Sequence, residues 1–100
     1  MDGAYRFEGT LWVAPGSGSW HFVSLPPAQA DEILERAGPV GRGFGSVRVS
    51  VSIGASHWRT SLFPDAKRGT YVLPIKKAVR AAEGLGDGDV VTVGLDLAGP

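Results

Sequence analysis

The sequence has no cysteine, a single methionine, no net charge and no long apolar run. Without cysteine there are no thiol nucleophiles, disulfides, Cys-ligated zinc or iron–sulfur clusters, and the absence fits a cytoplasmic location without demanding one. No stretch approaches the ~18–20 consecutive apolar residues of a membrane span. Met1-Asp2-Gly3-Ala4-Tyr5-Arg6 lacks the basic-then-apolar pattern of an export signal. The expectation is a soluble, unexported protein with no membrane partner. Ten basic residues cancel ten acidic ones, which excludes a polybasic or strongly acidic chain taken as a whole. What is present is 43% hydrophobic residues, enough for one core in 100 residues, together with 15 Gly and 7 Pro. That mixture predicts a single domain over residues 1–100, built from short strands and many turns.

Hydrophobic periodicity places the elements. From Tyr5 to Val13 the residues Tyr5, Phe7, Leu11 and Val13 share one face and Arg6, Glu8, Thr10 and Trp12 the other, with Gly9 interrupting the apolar row. Pro15-Gly16-Ser17-Gly18-Ser19 turns the chain, and Trp20 to Leu25 resumes extended. Pro26-Pro27 ends that strand and opens a helix from Ala28 to Ala37, expected to bury Ile33 and Leu34. Val47, Val49, Val51 and Ile53 alternate in the cleanest strand, Gly54 turns it, and His57 to Phe63 returns. On the returning strand Trp58, Thr60 and Leu62 share one side, and His57, Arg59, Ser61 and Phe63 the other. Pro64 to Gly69 reads as a turn, Tyr71-Val72-Leu73-Pro74 as a strand, and Ile75 to Glu83 as a helix with Ile75, Val79 and Ala82 on one face. Gly84 followed by Leu85 suits a left-handed helix end. Val91, Val93, Leu95 and Leu97 mark a last strand.

The two halves repeat, roughly 5–53 and 55–97: strand, strand, Leu-Pro, helix, strand. The first copy carries four extra residues in its Gly41-Arg42-Gly43-Phe44-Gly45 link. Such a repeat closes most simply as a six-stranded, pseudo-two-fold barrel capped by two short helices, because closure hides the sheet edges that a lone three-stranded unit would expose.

Four ordered motifs carry a resemblance. Trp20-His21-Phe22-Val23-x-Leu25-Pro26, Gly43-Phe44-Gly45-Ser46-Val47, Trp58-Arg59-Thr60-Ser61-Leu62-Phe63-Pro64 and Tyr71-Val72-Leu73-Pro74-Ile75-Lys76 together resemble the bacterial domain of unknown function 1905 family over nearly the whole chain. The resemblance implies a mainly β, double-split β-barrel and no established activity. Some members are fused to a further domain, which keeps a protein-interaction role open. The last third, Leu73-Pro74 through Arg80, Gly84-Leu85 and Gly88-Asp89 to Val93, is similar to the AbrB/MazE swapped-hairpin domains, which bind DNA as homodimers. Here one chain holds both halves, so a monomer is expected.

The zero net charge hides a segregation. Between Arg36 and Arg80 lie nine basic residues and one acid, Asp65, a net of +8; the rest of the chain carries −8. Since a charged partner responds to potential within about 8–10 Å, this segment can present a basic face through Arg42, Arg48, Arg59, Lys67, Arg68, Lys76, Lys77 and Arg80. A plain alternative is a solvated face neutralised in space by Asp31, Glu32, Glu35 and Glu83. The Gly41–Gly45 link offers glycine-permitted backbone N–H groups beside Arg42, yet it is neither a dinucleotide fingerprint nor a P-loop. Trp20, His21, Trp58 and Tyr71 form an aromatic group able to stack a planar ligand or a base, or simply to fill the interior.

No catalytic residue, cofactor or metal is predicted. The two histidines have no metal-ligand spacing, and Ser61, His57 and Asp65 lack a nucleophile-elbow motif. Three readings remain. The first is a non-enzymatic binding module for an anionic partner, with nucleic acid as first candidate. The second is a small-ligand or enzyme-like pocket built from Arg42, Arg59, Trp20 and Trp58, which requires those four to converge. The third is a protein-interaction scaffold, which requires an exposed apolar patch.

Overall fold

A computed structural model describes residues 4–16, 20–37 and 45–97. In chain order these form β1 (Ala4–Val13), β2 (His21–Ser24), α1 (Pro27–Ala37), β3 (Val47–Ile53), β4 (Ser56–Asp65), β5 (Thr70–Pro74), α2 (Lys77–Glu83) and β6 (Val90–Leu97). The strands close into a barrel in the order β1-β2-β5-β4-β3-β6, each pair antiparallel. The expected mainly β barrel of six strands with two helices is therefore present. The Gly41–Gly45 link, with Arg42, lies outside the described residues except for Gly45.

Two long strands change partner part-way. Residues 4–10 of β1 pair with β6, and residues 11–13 pair with β2. Likewise residues 56–62 of β4 pair with β3, and residues 63–65 pair with β5. Pro64 and Asp65 thus belong to the strand rather than to the turn their composition suggests. A proline is tolerated there because the strand is near its end, where a missing N–H removes little of the ladder.

Alternation fills the interior. Leu11, Val23, Leu62, Leu73, Val49 and Val93 are fully buried, joined by Phe7, Val51, Val91 and Leu95. Each such side chain contributes about 1.5–3 kcal/mol on leaving water. Pro27 occupies the first turn of α1, where its missing N–H costs nothing, and the Ala30 N–H donates to the Pro26 carbonyl at 2.9 Å. α1 buries Ala30 and Ile33 and packs on β5, while α2 buries Val79 and packs on β4.

Two expected core residues are not in the core. Leu34 is 44% exposed, because Ala30 and Ile33 already make the inward stripe of an eleven-residue helix. Ala82 is exposed as well, since α2 begins at Lys77 and its seven residues offer only Val79 to the barrel. Ile75 is buried ahead of the helix, on extended chain whose N–H donates to the His21 carbonyl. At the other end of α2, Gly84 adopts φ 66 and ψ 41, and the N–H groups of Gly84 and Leu85 both reach the Arg80 carbonyl. Leu85 then folds back on the core, as the Gly-Leu pair predicts.

The break in the apolar row at Gly9 has a packing cause. A Cβ at this position would stand 2.5 Å from Val23 Cγ1 and 3.3 Å from the Ser24 carbonyl oxygen. Gly9 lies just before β1 leaves β6 for β2, so β2 crosses close over it. Gly9→Ala should destabilise the fold by about 1–3 kcal/mol through overpacking. A urea midpoint shift at unchanged m-value measures this, and a midpoint equal to wild type contradicts the close approach.

Candidate functional site

The basic residues of the middle segment fall in three places. Arg48 and Arg59 are exposed on the outer face of the β3–β4 pair, opposite Ser61 and Ser50 respectively. Lys67 and Arg68 sit on the turn after β4. Lys76, Lys77 and Arg80 surround the start of α2. Among the described residues the one ion pair within 4 Å joins Arg68 to Asp65, so the other cations of the segment carry no carboxylate partner there. Of the four acids weighed as neutralisers, Glu83 accepts a hydrogen bond from Ser56 at 2.6 Å, and Asp31, Glu32 and Glu35 lie on α1.

The Asp65 turn is built locally. Its carboxylate accepts N–H bonds from Lys67 at 3.1 Å and Arg68 at 3.3 Å, an Asx-type turn, and takes the Arg68 guanidinium at 2.9 Å. Burial pushes the carboxyl pKa up, but these hydrogen bonds and the Arg68 charge outweigh it and hold the group below the ordinary carboxylate range. The same guanidinium carbon stands 4.0 Å from the centroid of the Trp12 ring, a cation–π placement.

Trp12 begins an aromatic row on the outer wall. Its neighbour Leu11 points inward, so alternation turns Trp12 out, opposite Phe22 on β2, which is itself opposite Pro74 on β5. The Trp12 indole N–H donates to Ser24 Oγ at 2.9 Å. Ring centroids of Trp12 and Phe22 are 5.2 Å apart; those of Phe22 and Trp20 are 6.0 Å apart with planes only 12° off parallel. Trp20 is 57% exposed and Phe63 44%. Trp20, Phe22 and Phe63 together cover Val72.

This row runs into a groove of about 500 Å³ at the start of α2. Trp20, His21, Thr60 and Phe63 line it together with Pro74, Ile75, Lys76, Lys77 and Arg80. Two local bonds shape it. The Ile75 N–H donates to the His21 carbonyl at 2.9 Å, tying the α2 entry to β2, and Arg80 Nε donates to the Ile75 carbonyl at 3.2 Å, drawing the arginine back across the helix start.

The remaining predicted residues lie elsewhere. Trp58 is half-buried against the core and lines a second trough with Arg59, His57, Ser50, Ser52 and Asp96. Trp20 and Trp58 therefore do not share a cavity, and Arg42 lies outside the described residues. Tyr71 is buried, its hydroxyl pKa pushed up by that burial, in a mainly apolar groove beside α1 with Ala30, Leu34 and Pro64. His57 faces Ser52 across the strands, whereas Asp65 lies at the far end of β4 holding Arg68, so Ser61, His57 and Asp65 form no triad. No helix among the described residues is long and apolar enough to cross a membrane.

Sequence reasoning named Trp20, His21, Lys76, Lys77 and Arg80 but assigned them to different groups, and it missed Trp12, Phe22 and Phe63 as a surface. Alternation already put Trp12 with Arg6, Glu8 and Thr10, and Phe63 with His57 and Arg59. A large aromatic on the polar side of a half-buried strand was the available signal.

The Asp65 carboxylate contributes stability that is present above its unfolded pKa of about 4 and lost as pH falls through its lower folded value. Asp65→Asn should therefore unfold with a flatter pH dependence between about pH 5 and pH 2, read from urea midpoints at each pH; parallel curves for variant and wild type contradict this.

Residues 7–95 match the family described as Domain of unknown function (DUF1905). No curated protein matches the chain. The match runs from Phe7 on β1 to Leu95 on β6 and so spans both helices and takes in part or all of every described strand; the chain belongs to the DUF1905 family.

Proposed function

We propose that this chain is a non-enzymatic binding module whose α2 groove receives an anionic partner, with nucleic acid as the first candidate. The observation that carries the reading is the groove itself: Lys76, Lys77 and Arg80, without carboxylate partners among the described residues, share one concave surface with the exposed rings of Trp20 and Phe63. Cations beside flat apolar rings complement a ligand that has both phosphates and bases. The Ser61, His57 and Asp65 side chains do not converge, His57 facing Ser52 while Asp65 holds Arg68 at the far end of β4. We read the protein as a cytoplasmic monomer, in keeping with its lack of cysteine and with a barrel that one chain closes.

The same reading treats the fold as a pseudo-two-fold double-split barrel. Exchanging β1 with β4, β2 with β5 and β3 with β6 leaves the strand order unchanged. The β2–β5 register supports it: Val23 faces Leu73 while the Leu25 N–H bonds the Tyr71 carbonyl, each pair being the counterpart of the other when the Leu-Pro motifs are superposed. On that alignment Gln29 and Glu32 of α1 stand where Lys77 and Arg80 stand on α2. The cluster of three cations is therefore peculiar to α2, which supports a ligand specific to that side.

The exposed aromatics also suit a protein-interaction domain. The flanking cations favour the polyanion. Replacing Lys76, Lys77 and Arg80 by Gln should weaken binding to oligonucleotides and flatten the dependence of log affinity on log salt by about two units, at ~0.7 per phosphate contact on a single strand. Because Arg80 also holds the Ile75 carbonyl, Lys76→Gln/Lys77→Gln serves as the variant with the fold left intact. Absence of any low-salt binding to single-stranded or duplex nucleic acid, or an unchanged slope, defeats the proposal.

A further inference from the structure

We infer that the partner is a single-stranded nucleic acid whose bases stack on Trp20 and follow the Trp20–Phe22–Trp12 row across β2 and β1, between a cationic groove and a cationic turn. The inference rests on the reading above and names its substrate class.

Three observations carry it. The rings form a continuous series, with centroid steps of 6.0 Å and 5.2 Å, and the outermost ring, Trp20, is 57% exposed beside the groove. Positive charge stands at both ends: Lys76, Lys77 and Arg80 beside Trp20, and Arg68 on Trp12 at 4.0 Å with Lys67 next to it. Arg68 is held in place by Asp65, so its guanidinium is oriented before any ligand arrives. An apolar protein partner would complement the rings but leave Lys76, Lys77 and Arg80, which have no carboxylate partner among the described residues, to be desolvated without counter-charge. A polyanion with exposed bases complements both.

The shape argues for one strand rather than two. In a duplex the base faces are stacked on one another and only their edges are reachable, and those edges are read by elements that enter a groove. The aromatic row lies on a barrel wall, with Trp12 and Phe22 on paired antiparallel strands and Trp20 just before β2, its ring nearly parallel to that of Phe22. Stacking on such rings tolerates any base, because every base has a π-face. The expected ligand is thus a flexible strand bound with weak sequence preference.

The test uses the whole chain, a labelled oligothymidylate and a duplex of equal length, with binding read by anisotropy and by quenching of tryptophan emission. Oligothymidylate should bind more tightly than duplex and quench the emission. Trp20→Ala should weaken it about ten-fold or more while leaving the salt slope unchanged, and Trp20→Phe should restore most of the loss. Trp20 is largely exposed, so both variants keep the fold, which unfolding midpoints verify. Equal affinity of Trp20→Ala and wild type, or tighter binding of duplex, overturns the stacking path while the Lys76/Lys77/Arg80 variant can still uphold the basic groove. No binding of either nucleic acid, or concentration-dependent self-association that Trp20→Ala abolishes, overturns this inference together with the reading beneath it.

Discussion

Everything in this molecule depends on two strands that must each serve two neighbours. β1 leaves β6 for β2 after Thr10, and β4 leaves β3 for β5 after Leu62. Without those exchanges the six strands would be two open sheets with unpaired edges. With them the backbone groups of a short chain are satisfied around a closed ring, and a core of Leu and Val fills the middle. The exchange demands close approach, which is why β1 has a glycine where its apolar row calls for a side chain.

The same exchanges create the surface of interest. Trp12 lies just beyond the switch on β1 and Phe63 just beyond the switch on β4. Past each switch the outward side chain faces β2 and β5 instead of β6 and β3. That rotation brings the two aromatics around Phe22 and Trp20, which arrive on a strand of only four residues and the chain leading into it. The groove at α2 is a product of closure too, since β2 and the α2 entry meet only because β2 pairs with β5.

The strands were legible because each buries one face, and a period of two over Val47 to Ile53 or Val91 to Leu97 has no other reading. Helix ends were legible through Pro26-Pro27 and Gly84-Leu85. Leu34 was misread because a helix on a small barrel needs a narrower apolar stripe than a helix in a layered protein. The site was legible only in pieces. Trp20 and Arg80 are sixty positions apart in the chain, and nothing local says that β2 lies beside β5. Charge counting along the sequence grouped Arg48 and Arg59 with Lys76 and Lys77, yet the barrel puts the arginines on the β3–β4 wall. Neighbourhood in a barrel is set by strand order, and strand order here is not chain order.

A ring of strands in which each has two partners leaves only short edge stretches, such as residues 4–10 of β1 and 56–62 of β4, that pair on one side. Recognition by backbone addition, a recurring way for a β protein to capture a peptide, has little to extend here. Whatever binds must be read by side chains that stand off the wall, and these are few: a handful of rings and cations. Such a surface can be rewritten by substitutions that never touch the interior of valine and leucine.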